Sequence, residues 1–186
     1  MNFNATKARV SNRGCPSDSF LTELVSWGRK APDDIFTPRP DDKGETDIYT
    51  SVKPQLGPWT SPPHRRAAML EVMRVLGGFE STWDWSEGRD TTNSTSVTPA
   101  TIEAGLWQVS YNSVVFGQDL KALCATRVIS GGNTFQETTK SDHAFAMEYI
   151  ARLLRHTARH NGPVLRHEIH PFLSRASVKE FETLLS

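Results

Sequence analysis

The fold turns on residues 61–81, SPPHRRAAMLEVMRVLGGFES. Ser61 can cap a helix, because its hydroxyl accepts one of the first backbone N–H groups that have no partner inside the helix. Pro62 and Pro63 suit the first turn, where no N–H is needed and φ is already set. From His64 onward Leu70, Met73 and Leu76 recur with Val72, Val75 and Phe79, a spacing that makes most of the helix apolar. Gly77-Gly78 marks a place where such a helix weakens or bends. Glu80 follows Met73 by two turns and Leu76 by one, so it shares a face with two apolar side chains.

Downstream, from Ser81 to Ala104, Ser, Thr, Asn and Asp dominate and the helical period disappears. This stretch reads as loops and short hairpin strands. Gly105-Leu106-Trp107-Gln108-Val109-Ser110 then leads to Asn112-Ser113, a cap for a helix running to about Leu123. Gly131-Gly132-Asn133 reads as a turn. Ser141-Asp142 opens the clearest helix, with Phe145, Tyr149, Ile150, Leu153 and Leu154 on its buried side. Asn161-Gly162-Pro163 stops it. Ser177 with Glu180 forms a capping box for a last helix. Upstream, Ser17 caps a short helix carrying Phe20, Leu21, Leu24 and Val25. Residues 1–16 read as a polar arm. Residues 31–60 hold Pro32, Pro38, Pro40, Pro54 and Pro58, so that segment reads as irregular, anchored by Ile48, Tyr49, Val52, Leu56 and Trp59. The expectation is one mainly α (α+β) domain over residues 1–186. A small polar β-hairpin or loop insert follows directly after Glu80.

The 186 residues carry 21 Lys+Arg and 21 Asp+Glu, a formal charge of zero. That balance argues against a nucleic-acid partner, whose footprint is an excess of cations. No window approaches the roughly 20 apolar residues that cross a bilayer, so no membrane partner is expected. The polar start MNFNATKARV reads as no secretory signal and synthesis in the cytoplasm. There Cys15 and Cys124 are reduced thiols; an oxidising destination would allow a disulfide. Asn4-Ala5-Thr6 and Asn93-Ser94-Thr95 match the glycosylation triplet, a pattern too short to carry that reading without export. His167-Glu168-Ile169-His170 is one residue short of the HExxH zinc motif. His156 and His160 sit among Arg152, Arg155 and Arg159, which reads as a solvated basic face. Neither pair predicts a metal, and no cofactor is expected.

Glu80 is the first candidate for chemistry. A carboxyl at the end of an apolar helix is desolvated, which raises its pKa and keeps its proton near neutral pH. Such a group can act as general acid toward a leaving oxygen, with a second carboxylate nearby. The bland alternative is a helix-end Glu that points to solvent. For the second group, Glu103 beside the Gly105 segment comes first. Asp90 is next, in a Thr/Asn-rich loop able to hold it ionised, and Asp84 and Glu87 also lie in the insert. Trp83, Trp85, Trp107 and Tyr111 cluster here; each either stacks on a sugar face or packs in the core.

Gly78-Phe79-Glu80-Ser81, a polar insert, and then Gly105-Leu106-Trp107-Gln108 resemble the lysozyme-like superfamily. In goose-type lysozymes and soluble lytic transglycosylases a helix ends in Glu-Ser, and a Gly-Leu-Met-Gln segment lines the glycan cleft. Trp107 stands here in place of the Met. The resemblance covers about residues 64–115. It implies Glu80 as the catalytic acid, with Ser81, Trp107 and Gln108 of the matching motifs lining the glycan cleft. The second group is not carried over by position, so Glu103 and then Asp90 remain the candidates from the insert. Trp83 and Tyr111 join the expected substrate-binding residues from the aromatic cluster. The resemblance implies peptidoglycan as substrate, at the β-1,4 bond between N-acetylmuramic acid and N-acetylglucosamine. Two features depart from the family. Ser110 stands where goose-type enzymes carry an Asp, and the C-terminal Tyr-Asn motif of many transglycosylases is not evident. The whole chain looks most like the glycoside-hydrolase effectors of type VI secretion. That implies export by a dedicated system, action in a target periplasm, and an immunity protein that occludes the cleft. A phage endolysin, a chitinase-like glycosidase and a non-catalytic glycan-binding module are the alternatives.

Overall fold

Ser61 caps the helix Pro62–Ser81 as the sequence predicts: its Oγ accepts the His64 N–H at 3.2 Å. The computed structural model describes residues 1–39 and 47–186. Its helices, in chain order, are α1 (Asp18–Lys30), α2 (Ile48–Ser51), α3 (Lys53–Leu56), α4 (Pro62–Ser81), α5 (Gln118–Thr126), α6 (Gly132–Ser141), α7 (His143–His156), α8 (Gly162–Leu165) and α9 (Arg175–Leu185). The apolar residues of α4 fall on all its sides, so the helix is buried around nearly its whole circumference. α1, α7, α8 and α9 pack around it. No described helix is long and apolar enough to cross a membrane.

Two charged residues lie inside this core. Arg74 and Glu71 are both fully buried and form a two-point ion pair, Nε to Oε2 at 2.7 Å and Nη2 to Oε1 at 2.8 Å. Burial alone would be costly, but the remaining hydrogen-bonding capacity is used. Arg74 Nη1 donates to Ala8 O at 3.0 Å, and the Ser174 N–H donates to Glu71 Oε1 at 2.9 Å. The pair therefore ties the N-terminal arm and the start of α9 to the central helix. The arm is docked further by Glu180, whose carboxylate accepts the N–H groups of Asn4 and Thr6 at 2.7 and 2.6 Å. Glu180 does not close a capping box: α9 starts earlier, at Arg175, capped by Ser174.

Other boundaries shift for local reasons. The Pro-rich segment contains the short α2 and α3, with Ile48, Tyr49, Val52 and Leu56 buried as anchors. Residues 40–46 of that expectation lie outside the described residues. The helix expected from Asn112 is a 3-10 turn, Tyr111–Phe116, separated from α5 by an extended Gly117. Gly132 opens α6 rather than a turn. The arginines of α7 do not form a solvated face. Arg152 and Arg155 are buried and paired with Asp34, Glu148 and Asp47. Cys15 is exposed and Cys124 buried, both as free thiols.

The expected β-hairpin is absent: among the described residues the only pairing is one antiparallel bridge, Ala104 with Val109. The insert lacks the apolar alternation that would bury a sheet face, and its side chains satisfy their own backbone instead. Asp84 Oδ1 accepts from the N–H and hydroxyl of Ser86, Asp90 Oδ1 from those of Thr92, and Asn93 Oδ1 from those of Thr95. These are successive Asx turns, and the Asn93-Ser94-Thr95 triplet is one of them.

Candidate active site

Gly77 and Gly78 prove to be a packing notch, and α4 continues through them to Ser81. A Cβ on Gly77 would stand 2.5 Å from Leu106 Cδ2, and one on Gly78 would stand 2.7 Å from Trp83 Cζ2. The notch seats both indoles against the helix. Trp83 Nε1 donates to Arg74 O at 2.8 Å, and Trp107 Nε1 donates to Met73 O at 2.9 Å. Trp107 is 1% exposed and Trp83 9%. Both are core residues, which corrects their expected role as sugar-stacking platforms. Ser81 is buried as well, whereas Tyr111 is half-buried at the edge of the core. The buried Ser81 hydroxyl accepts the Asp84 N–H at 3.0 Å, and the Tyr111 ring packs on Phe135. Trp85 is stacked on His143 at 3.8 Å.

The aromatic seating leaves Glu80 at the floor of a polar cavity of about 350 Å³. Glu103, Gln108, Asn161, His160 and Gly162 line it, with Glu87, Arg89, Asp90 and Thr91 from the insert. A larger cavity of about 680 Å³, near Leu165 and His167, is lined by no carboxyl group. Glu80, Glu103, Asp90 and Gln108 are therefore brought together, as expected. Asp84 lies outside the cavity, exposed and spent on its turn.

The carboxyl groups differ in environment. Burial pushes Glu80 up from 4.5 to about 7, against the opposing hydrogen bond from Asn161; the nearby Glu103 charge adds to the rise. Glu103 is also raised, first by burial and then by Asp90, while the hydrogen bond from Asn93 and the nearby Ser96 hydroxyl pull it down. Its Oε1 accepts Asn93 Nδ2 at 2.7 Å. Its Oε2 is buried without a partner in hydrogen-bond geometry among the described residues. Asp90 is lowered by the Thr92 hydroxyl and N–H, so it stays ionised at the rim. His160 is lowered by burial and so favours the neutral ring.

Gln108 is held by the bridge that closes its loop. Gly105, at φ +73°, donates its N–H to Glu87 O at 2.9 Å; a Cβ there would press on Thr139 O at 3.0 Å. Gln108 Nε2 donates back to Gly105 O at 3.0 Å.

Asn161 is the residue that sequence reasoning missed. It is 3% exposed, and its Nδ2 donates to both Glu80 Oε1 and Trp107 O at 3.2 Å. Its Oδ1 is buried with no partner among the described residues. Asn-Gly-Pro reads as the stop of the preceding helix, but α7 already ends at His156 with Thr157 as its C-cap, and Asn161 instead precedes the short α8 that Gly162 opens. No local signal marks its role toward Glu80, which arises only where α8 meets the end of α4. Comparisons with protein-family models, curated proteins and solved structures find no match.

Proposed function

We propose that this chain is a glycoside hydrolase of the muramidase type, cleaving the β-1,4 bond between N-acetylmuramic acid and N-acetylglucosamine in peptidoglycan. The observation that carries the reading is Glu80, a carboxyl poised near pH 7 at the floor of a polar cavity that holds a second carboxyl, Glu103. Asn161 occupies Glu80 Oε1, which leaves Oε2 to carry the proton toward a glycosidic oxygen. Glu103, when ionised, supports the oxocarbenium-like state or activates water. The Glu103 charge helps to raise Glu80, so the working form has the proton on Glu80 and Glu103 ionised.

The burial of Trp83 and Trp107 weighs against a non-catalytic glycan-binding module, since the aromatic faces such a module needs are inside the core. Delivery as a type VI secretion effector, with an immunity protein over the cleft, is part of the same proposal and rests on the resemblance of the Glu80-Ser81 and Gly105–Gln108 motifs. The test is digestion of purified peptidoglycan, with mass analysis of the fragments, by wild type and Glu80→Gln. Wild type is expected to release muropeptides and the variant to lose at least about 10²-fold in rate. Equal rates would refute the assignment.

A further inference from the structure

We propose that Asn93 is a positioning residue for Glu103: it holds the second carboxyl in one orientation and keeps it able to ionise. This rests on the glycosidase reading for its catalytic meaning, but its physical basis is independent of it.

The amide of Asn93 cannot turn round. Its Oδ1 accepts the Thr95 N–H at 3.0 Å and the Thr95 hydroxyl at 2.8 Å. A backbone N–H can only donate, so that end must be the carbonyl. The NH₂ end then faces Glu103 Oε1 at 2.7 Å. The turn thus presents a fixed donor to a carboxylate, a short contact of the charge-assisted kind. Glu103 has little else to rely on. Its second oxygen is buried without a partner in hydrogen-bond geometry among the described residues, and the fully buried Ser96 hydroxyl stands beside it. The charged or titratable groups sharing its cavity are Glu80, Glu87, Asp90, Arg89 and His160. Asp90 opposes ionisation of Glu103, and the Asn93 donor is the strongest influence in its favour. The Asn93-Ser94-Thr95 triplet, which in sequence resembles a glycan acceptor, spends its amide nitrogen on this carboxylate.

Asn93→Asp separates the two jobs of the residue. Aspartate keeps an oxygen for the Thr95 turn but replaces the donor by an acceptor. Asn93→Ala removes both. The readout is the titration of Glu103 followed by carboxyl-carbon NMR in wild type and both variants, with thermal unfolding alongside. Glu103 is expected to titrate about one pH unit higher in both variants, a tenfold rise in proton affinity. On peptidoglycan, kcat should fall at least about tenfold with KM little changed, and the acid limb of the pH profile should move up. An unmoved Glu103 titration in a folded variant would overturn the proposal, even if stability fell. If Asn93→Asp does not fold, Asn93→Ala decides. Should wild type leave peptidoglycan intact, the glycosidase reading fails, while the NMR titration still decides whether Asn93 governs Glu103.

Discussion

Replacing Glu80 by Gln should abolish activity and at the same time stabilise the protein, by an amount that depends on pH. Glutamine keeps the size of the side chain and an oxygen for Asn161 Nδ2, but it cannot ionise. Burial moves the Glu80 carboxyl from 4.5 to about 7. Each pH unit between those values corresponds to 1.36 kcal/mol, so the ionised group costs the folded state about 3 kcal/mol. The sign follows from which state holds the proton. Below pH 4.5 both folded and unfolded chains are protonated, and wild type matches the variant. Between 4.5 and 7 the unfolded chain ionises first, and wild type loses stability as pH rises. Above 7 both states are ionised and the gap stays constant. In a chain of this length, 3 kcal/mol corresponds to about 6–12 °C in Tm. Urea and thermal unfolding of both proteins at pH 4 and pH 8 test this. The variant should be about equal at pH 4 and clearly more stable at pH 8. The same difference at both pH values, or a less stable variant at pH 8, would refute the desolvation of Glu80 and with it the ground for a general acid.

Three further outcomes are expected. Glu103→Gln removes the neighbouring charge that helps to raise Glu80, so the basic limb of the pH–rate profile should move below 7, with a rate loss of roughly 10²–10⁴-fold. Gly78→Ala forces a methyl group against the Trp83 indole at 2.7 Å, and should destabilise by about 1–3 kcal/mol in urea unfolding despite the better helix propensity of alanine. Arg74→Met strands the Glu71 carboxylate, whose pKa is already raised by burial, and should cost about 3–5 kcal/mol. Adding Glu71→Leu should recover most of that loss, because the uncompensated charge is gone.

Much of the helical frame was legible because burial and capping both leave local marks. Ser17, Ser61 and Asp142 accept N–H groups in the first turns of α1, α4 and α7, as their positions implied. The errors came where a distant partner overrode a local signal. Glu180 looked like half of a capping box, yet it reaches Asn4 and Thr6 at the other end of the chain. Arg152 and Arg155 looked like part of a solvated face, and only tertiary partners permit their burial. For the candidate site, Glu80, Glu103, Asp90 and Gln108 were legible from residue type and order. Asn161 was not, since its role depends on α8 meeting the end of α4. The tryptophans were misassigned because an indole near a cleft looks the same in sequence whether it faces the sugar or the helix behind it.

The tryptophans still bear on the site, one step removed. Three of the six non-glycine residues with positive φ among those described are Thr82, Trp83 and Gln108, at 59°, 60° and 45°. They lie around Glu80 and the opposite wall of its cavity. A β-branched residue such as Thr82 is especially unfavourable there. Each left-handed residue costs about 1–2 kcal/mol, which must be offset by contacts that a relaxed turn would lose. Those contacts are identifiable. Thr82 and Trp83 donate their N–H groups to Gly78 O and Gly77 O at 3.2 and 3.1 Å. The indole of Trp83 locks onto Arg74 O in the glycine notch. Trp107 does the same one residue earlier on the helix, and its own carbonyl receives Asn161, which in turn holds Glu80. A chain of contacts therefore runs from the notch through Trp107 and Asn161 to the carboxyl. The glycines that looked like a weakness in the helix are what let both indoles approach closely enough to fix the acid in place.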